Sequence, residues 1–467
     1  MRPRPRQTLI GLVAVAALFL DGCRLPKPYL ATRLSWPRLA AETEEVGETP
    51  GSRESKHGPI RRVSTSERPQ YRETLARPVA IIDWQPEVSS TWQILYATNR
   101  GPDRSSQPGM RRYGRTINAV PEYGVSTVVL PHRERGDDGL HTSADKSVWS
   151  NVVPAAWRGE KVDRHDRDTA LTARLTRVEP LGRTTFGEQL RELTARSPQR
   201  DVLVFVHGFN VSYDEAILRA TQVAADLPFN GAIVAYSWPS QGGVDSYERD
   251  GEVVNESELA FTEFLTTIGD ALPDESRINI VVHSMGNRLV QRSLWRLPDR
   301  YASPPRFDEV VFCAPDVGVD EFRRNVRQAR KVARRVTLYQ CCNDAALIAS
   351  MFRNKEERAG SPNAPVLIEG MDTIETAPVD SSALGHSYYG SNTSVLRDLF
   401  AIVKEHAPAA ERPWLQSRKM PFQKTPLWIF SSFPEELDWN WSSEAEAVTT
   451  SEEDGSAAID DERGDVR

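Results

Sequence analysis

The sequence is poor in cysteine and has no apolar run long enough to span a membrane. Four cysteines among 467 residues exclude the dense disulfide framework that stabilises small secreted domains. The apolar run Leu9–Leu20 has twelve residues, whereas a membrane-spanning helix needs about 20. Neither feature indicates a membrane-embedded or disulfide-stabilised protein, and a core built from packed helices and strands is expected instead.

The sequence also lacks an excess of basic residues and the usual spacings of metal ligands. Its net charge of -7 argues against a nucleic-acid binder, which is normally basic. The eight histidines and four cysteines form neither a CxxC nor an HExxH pattern, and these are the patterns that typically hold zinc. We therefore expect no nucleic-acid partner, no metal and no cofactor.

The N-terminus has the pattern of a secretory signal. "MRPRPRQ" supplies three arginines before the apolar run, and "LDGC" follows it, as in a cleaved signal peptide. "LDGC" resembles the bacterial lipobox, although Asp21 stands where a small neutral residue is usual. We expect residues 1–23 to be a lipoprotein-type signal peptide, with Cys23 lipidated in the cell envelope. The alternatives are ordinary secretion to the periplasm or beyond, and an uncleaved helical anchor that ends near Cys23.

Both flanks of the chain are polar and rich in proline. Residues 24–88 carry many Arg, Pro, Ser and Glu residues, a composition typical of a disordered tether. We place the folded domain at residues 89–407. The last part, 408–467, is predicted to hold a tryptophan-containing segment and an acidic, disordered tail. This part contains Trp414, Trp428, Trp439 and Trp441. Such clustered tryptophans indicate a segment that packs onto the domain, a partner or a lipid interface.

The middle of the chain alternates strand and helix patterns. The runs "VLVFVH", "AIVAYSW", "INIVVHS", "EVVFCAP" and "VTLYQC" are short, continuously apolar and rich in β-branched residues, as in parallel strands buried on both faces. Earlier strands are predicted at 91–100, 123–131 and 170–175. Helices are predicted at 212–227, 257–272, 285–297, 319–332 and 344–352. This alternation predicts an α/β fold with a mostly parallel sheet and helices on both faces.

The stretch "VVHSMGN" at residues 281–287 is the strongest candidate for a catalytic motif. The strand "RINIVV" precedes Ser284 and the helix "MGNRLVQ" follows it, which is the context of a nucleophile elbow. Val282 departs from the G-x-S-x-G pattern, which has glycine at that position. A helix N-cap is the alternative role of this serine.

A base and an acid must follow Ser284 if the chain has the order of an α/β hydrolase. Two histidines follow: His386 in the loop "SALGHSYYG" and His406 at the end of a helix. We predict His386 as the base. Asp344 is favoured as the acid because it follows the second strand after the serine. Asp316 remains the alternative acid. Asp344 could instead be a helix N-cap, and Asp316 a turn residue.

The oxyanion site should consist of two backbone amides. Met285 follows the serine directly, and Phe209 lies in "HGFN" after the strand "VLVFV"; such donors stabilise the negative charge that develops during acyl transfer. We expect His207 to be structural, since His386 already supplies the base. Phe209, Tyr236 and Trp238 could line an acyl pocket or pack in the core.

From "LYATNR" to the helix after His386, the chain resembles a family of bacterial α/β hydrolases known as domain of unknown function 900. The resemblance is carried by "FVHGFN", "YSWPSQG", "VVHSMGNR", "APDVG", "LYQCCNDAAL" and "LGHSYY". It covers about three hundred residues and neither flank. It implies an α/β-hydrolase fold and supports Ser284, Asp344 and His386 at matching positions, while Asp316 also lies in a shared motif.

These residues predict a serine hydrolase that acts on an acyl substrate, most simply a carboxylic ester, which can be a small molecule or lipid-like. The alternative is an envelope-anchored scaffold that keeps the hydrolase fold without turnover. Such a scaffold would bind partners through its tryptophan segment or the basic stretch 323–335. The sequence gives no oligomeric state.

Overall fold

Strands and helices alternate along the chain. The computed structural model describes residues 72–75, 77–85, 88–131, 173–242, 244–300, 304–377, 392–431 and 438–441. The strands are β1 (Arg72–Leu75), β2 (Ile81–Gln85), β3 (Ser89–Pro102), β4 (Tyr113–Pro131), β5 (Arg174–Leu181), β6 (Asp201–Val206), β7 (Ala232–Ser237), β8 (Arg277–His283), β9 (Phe307–Cys313), β10 (Ala333–Gln340), β11 (Asp372–Glu375), β12 (Leu415–Arg418), β13 (Leu427–Phe430) and β14 (Asp438–Trp441). The α-helices are α1 (Arg183–Ala195), α2 (Tyr213–Asp226), α3 (Tyr247–Glu256), α4 (Glu258–Ala271), α5 (Gly286–Arg300), α6 (Val319–Ala329), α7 (Ala345–Asn354) and α8 (Thr393–Val403). Within these ranges, no helix combines the length and the apolar composition needed to cross a bilayer.

Twelve strands form one large sheet with a parallel centre. Its order is β12-β13-β11-β10-β9-β8-β6-β7-β3-β4-β5, and β2 pairs with β3. The strands from β13 to β3 in this order are all parallel, while β2, β4, β5 and β12 are antiparallel additions at the margins. The predicted mostly parallel α/β sheet is confirmed.

The central strands are buried on both faces because helices cover each side. All six residues of β6 and of β7 are buried. Leu203 and Phe205 pack into one apolar cluster with α2 and α8. Val202, Val204 and Val206 point to the opposite cluster, which includes residues of α1, α4, α5 and α6. Alternate side chains of one strand thus enter different cores, as the continuously apolar runs predicted.

Several boundaries differ from the prediction. The strand expected at 170–175 starts at Arg174 and runs to Leu181. The helix expected to end at 332 ends at Ala329, because Ala333 already begins β10. Helix α3 was not predicted, since its polar sequence buries only three residues. Strand β11 has four residues, too few for a recognisable pattern.

The sheet continues past residue 407, where the composition placed the end of the folded domain. β13 pairs with β11, and β12 adds antiparallel to β13. Trp414 is buried, and Trp428 packs against the core, so this part of the tryptophan segment packs onto the domain. β14, which contains the other two tryptophans, pairs with β1 in a separate two-stranded sheet. These strands have only four residues each and are separated by prolines, so they show no alternation from which they could be predicted.

A buried ionic contact joins this added segment to α8. Asp398 accepts hydrogen bonds from Arg412 Nη1 and Trp414 Nε1, each at 2.5 Å, and from the Tyr339 hydroxyl. Asp398 is fully buried, and the Arg412 side chain is 1% exposed. Removing one partner of such a pair leaves an uncompensated buried charge, so the segment after residue 407 is integral to the fold.

Arg412→Met is therefore expected to lower the free energy of unfolding by about 3 to 5 kcal/mol, the usual effect of breaking a buried ion pair. Urea unfolding followed by circular dichroism would measure it. Arg418→Met in β12 is the control, because Arg418 is partly exposed and surface substitutions change stability by about 0.5 kcal/mol. Equal, small effects of the two variants would contradict this role of Arg412.

Candidate active site

Ser284 occupies a strained turn between β8 and α5. Its φ angle is 51°, in the left-handed region that residues other than glycine rarely adopt. Its amide donates to the Cys313 carbonyl at 3.0 Å, and its carbonyl accepts from the Asn287 amide at 3.1 Å and from Asn287 Nδ2 at 2.7 Å. These bonds hold the backbone in the geometry of a nucleophile elbow.

Two glycines let the loop after β6 pack directly against this elbow. A Cβ atom on Gly208 would lie 2.8 Å from the Ser284 Cβ, and one on Gly286 would lie 2.3 Å from the His207 carbonyl oxygen. Real Cβ atoms do not approach other atoms so closely, so both positions require glycine. The position of Val282, where the usual motif has glycine, is fully buried in the core.

The two predicted oxyanion amides belong to these abutting loops. Among the described residues, neither the Phe209 amide nor the Met285 amide has a hydrogen-bond acceptor. The Gly208 carbonyl lies 2.8 Å from His207 Nδ1. Because the peptide bond is trans, the Phe209 N–H points away from His207. Both amides therefore remain candidates for the oxyanion donors.

His207 holds neighbouring loops together, as expected of a structural histidine. It is 1% exposed, stacks on Trp238 with ring centroids 5.1 Å apart, and its Nε2 lies 3.3 Å from Ser237 Oγ. Burial and the nearby Arg100 lower the pKa of His207 to about 3. Its ring is therefore neutral. Tyr236 and Trp238 are fully buried, so they pack in the core rather than line a pocket.

Asp344 lies at the carboxyl end of β10 and is fully buried. Its Oδ1 accepts from the Leu347 amide at 2.9 Å, so it is the N-cap of α7. This is the alternative role considered from the sequence. The cap uses one of the two carboxylate oxygens.

Asp316 follows β9 and sits in a buried network of positive and hydroxyl groups. Its Oδ2 accepts from the Tyr247 hydroxyl at 2.7 Å and pairs with Arg288 at 3.1 Å. Its Oδ1 accepts from Ser350 Oγ at 2.5 Å and lies 3.3 Å from Arg358 Nε. Burial alone would raise the pKa of Asp316, but the two guanidinium groups outweigh it and keep the pKa low. Both oxygens therefore serve this network.

His386 lies outside the described residues, between Ala377 and Asn392. Its segment follows β11, which neighbours β10 in the sheet. The Thr376 amide donates to the Gln340 carbonyl at the carboxyl end of β10. The chain thus enters this segment at the sheet edge that also carries Ser284 and Asp344. Cys23 also lies outside the described residues.

His406 lies at the opposite edge of the sheet. Its Nδ1 is 2.8 Å from Asp308 Oδ2 and 3.7 Å from Glu309 Oε1, at the start of β9. Burial would lower its pKa, but Asp201 and these carboxylates raise the pKa to about 10. A protonated histidine at the wrong edge cannot be the base for Ser284.

His406, Asp308 and Glu309 also have the spacing of metal ligands. Arg334 pairs with Asp308, and Arg335 with Glu309 at 2.5 Å. These guanidinium groups already balance the carboxylates that a cation would need. The group is best described as an ionic cluster that fastens the end of α8 to the sheet.

Some positioning residues were not recognised from the sequence. Asn287 and Arg288 stand within "HSMGNR" and could have been identified, because they directly follow the serine. Arg100 and Asp250 come from distant parts of the chain, on β3 and α3. They had no local signal, since their role depends on which loops the fold brings beside them.

The parallel sheet with Ser284 in a left-handed turn after β8 defines an α/β-hydrolase fold. A family comparison agrees with this fold: the model of "Alpha/beta hydrolase of unknown function (DUF900)" matches residues 183–403. The resemblance noted from the motifs is confirmed over these residues.

Comparison with solved structures gives distant matches. A metagenomic carboxyl esterase is 16% identical, with 45% of this chain and 77% of that chain covered and a TM-score of 0.23. Phospholipase PlaB from Legionella pneumophila, in complex with thio-NAD, is 12% identical, with 49% and 67% covered and a TM-score of 0.25. No curated protein matches the sequence.

Proposed function

We propose that this protein is a serine hydrolase that cleaves carboxylic esters with Ser284 as nucleophile, His386 as base and Asp344 as acid. The left-handed turn at Ser284 carries the proposal. A non-glycine residue in this conformation costs of order 1–3 kcal/mol, and the fold maintains it beside two amides that have no acceptor among the described residues. Ordinary helix capping needs no such strain.

The proposed reaction has two steps. Ser284 Oγ attacks the ester carbon while His386 takes its proton, and the Phe209 and Met285 amides stabilise the oxyanion. His386 then protonates the leaving alcohol. Water, activated by the same imidazole, attacks the acyl-enzyme and releases the carboxylic acid.

Asp344 is proposed as the acid because the competing carboxylate is already committed. Asp316 is bonded to two guanidinium groups and two hydroxyls, so orienting a histidine would require breaking that network. Asp344 follows β10, the strand next to β11, and the segment with His386 begins after β11. A buried carboxylate orients the catalytic histidine and stabilises its protonated form.

Ser284→Ala is expected to abolish turnover of nitrophenyl esters of short and medium acyl chains, since no other described serine shares the elbow geometry. The variant should also lose the mass increase that a fluorophosphonate gives the wild-type protein in intact-mass spectrometry. Ser293→Ala is the control, on a buried serine within α5, the helix that follows Ser284. A wild-type protein with no Ser284-dependent turnover or labelling would favour the scaffold hypothesis.

Asp344→Asn and Asp316→Asn should fail in different ways. Asp344→Asn is expected to lower kcat by about 10⁴-fold, the effect of the equivalent change in a known triad, with a smaller loss of stability. Asp316→Asn should mainly lower the free energy of unfolding, by about 3 to 5 kcal/mol, because two buried guanidinium groups lose their partner. Rates and urea unfolding curves separate the two. A larger rate loss at position 316 in folded protein would reverse the assignment.

We propose further that Cys23 is lipidated and attaches the protein to the cell envelope, on the strength of "LDGC" after a basic and apolar segment. The Cys23→Ser variant should then lose both incorporation of labelled fatty acid and sedimentation with membranes. A variant that still sediments, together with an unlabelled wild type, would indicate an uncleaved helical anchor instead. A wild type absent from membranes would contradict both forms of attachment.

A further inference from the structure

Two buried charges of opposite sign lie behind the loop that carries the Phe209 amide. Asp250 on α3 is fully buried, and Arg100 on β3 is 1% exposed. Among the described residues, neither has an oppositely charged group within ion-pair distance. The hydrogen-bonding atoms of each charged group are bonded to neutral groups instead. Almost all of these neutral groups lie in the loop after β6, in β7 or in the loop after β7.

Asp250 binds amides and a hydroxyl from both loops. Its Oδ2 lies 3.4 Å from the Asn210 amide and accepts from Ser240 Oγ at 2.5 Å. Its Oδ1 accepts from the Gln241 amide at 2.7 Å. Ser240 Oγ in turn accepts from the Val211 amide at 3.2 Å. One carboxylate therefore holds the two residues that directly follow Phe209.

Arg100 binds carbonyls on the other side of the same loops. Its guanidinium donates to the Val211 carbonyl at 2.7 Å and to the Ser240 carbonyl at 3.1 Å. Its Nε donates to Ser237 Oγ at 2.9 Å. That hydroxyl lies 3.3 Å from the Nε2 of His207, whose Nδ1 contacts the Gly208 carbonyl. Arg100 is thus linked, through Ser237 and His207, to the peptide group that contains the Phe209 amide.

Isolated buried charges are costly, because desolvation is not offset by an ion pair. Burial raises the pKa of Asp250 and lowers the pKa of Arg100 to about 9. The loop between them contains Asn210 with φ of 58°, a left-handed conformation that asparagine adopts more readily than most residues. A costly arrangement of buried charges that fixes a loop beside the nucleophile indicates a positioning role.

We propose that Asp250 and Arg100 are positioning residues that hold the Phe209 amide in the geometry of an oxyanion donor. This inference rests on the proposed function, since it assigns them a part in stabilising the oxyanion at Ser284. An oxyanion donor must lie about 2.7–3.1 Å from the charged oxygen. A loop released from either charge would leave that range without losing the nucleophile or its base.

Asp250→Asn is the test, because an amide of the same size cannot accept hydrogen bonds through both of its terminal atoms. We expect kcat for the best nitrophenyl ester to fall about 10- to 100-fold with KM little changed, and fluorophosphonate labelling of Ser284 to slow by a similar factor. Loss of one donor elsewhere costs about 10² to 10³ in rate. Hydrogen–deuterium exchange should become faster at residues 209–211 and 240–241.

Glu252→Gln is the matched control on the same helix, since Glu252 is exposed and, within the described part of the chain, pairs only with Arg249. Ser240→Ala, which removes the hydroxyl that links Asp250 to the Val211 amide but leaves the carboxylate in place, gives a milder test if Asp250→Asn does not fold. Unchanged exchange in the loop, or faster exchange with unchanged labelling, would overturn the inference. A wild-type protein that fluorophosphonate does not label would instead overturn the proposed function and this inference with it, before any variant is compared.

Discussion

The candidate site depends on the contact between the loop after β6 and the elbow after β8. Gly208 and Gly286 have no side chains, and a Cβ atom on either would overlap the opposing loop. The contact places the residues that carry the Phe209 and Met285 amides, directly after Gly208 and directly before Gly286, at the elbow of a left-handed serine. If these loops were separated by even one methyl group, the serine would keep its place at the turn but its proposed oxyanion donors would no longer converge.

Buried charges around the sheet are compensated in two ways. At the amino ends of the strands, His406, Asp308 and Lys404 form ion pairs, which compensate much of the cost of burial. At the carboxyl ends, Arg100 and Asp250 are bonded to neutral groups of the site loops. The ion pairs fasten the end of α8. Arg100 and Asp250, which have no ion-pair partner among the described residues, fix the backbone of the site loops at the expense of stability. Such an exchange of stability for site geometry is common in enzymes.

Patterns within a continuous stretch of sequence predicted much of this protein. The apolar runs of β6 to β10 predicted the parallel centre of the sheet, because burial on both faces requires such runs. "HSMG" located the elbow, because a strand and a helix flank it. The four-residue strands β11, β12 and β13 were missed, since so few residues show no periodicity.

The contacts that distinguish Asp344 from Asp316 could not be predicted from the sequence. Both aspartates follow apolar strands, and both carry turn-forming neighbours. Only the fold reveals that Arg288 and Arg358, from different parts of the chain, converge on Asp316. The same holds for Arg100 and Asp250, which are 150 positions apart along the chain and meet at one loop. Long-range convergence of charged groups leaves no pattern in a single sequence.

In the proposed mechanism, Ser284 Oγ and two backbone amides surround one reacting centre. A crystal structure of the protein after reaction with a fluorophosphonate would show whether they do. We expect phosphorus bonded to Ser284 Oγ, with one phosphonyl oxygen about 2.7–3.1 Å from the amide nitrogens of both Phe209 and Met285. Phosphorus on a different residue, or a phosphonyl oxygen directed away from both amides, would contradict it.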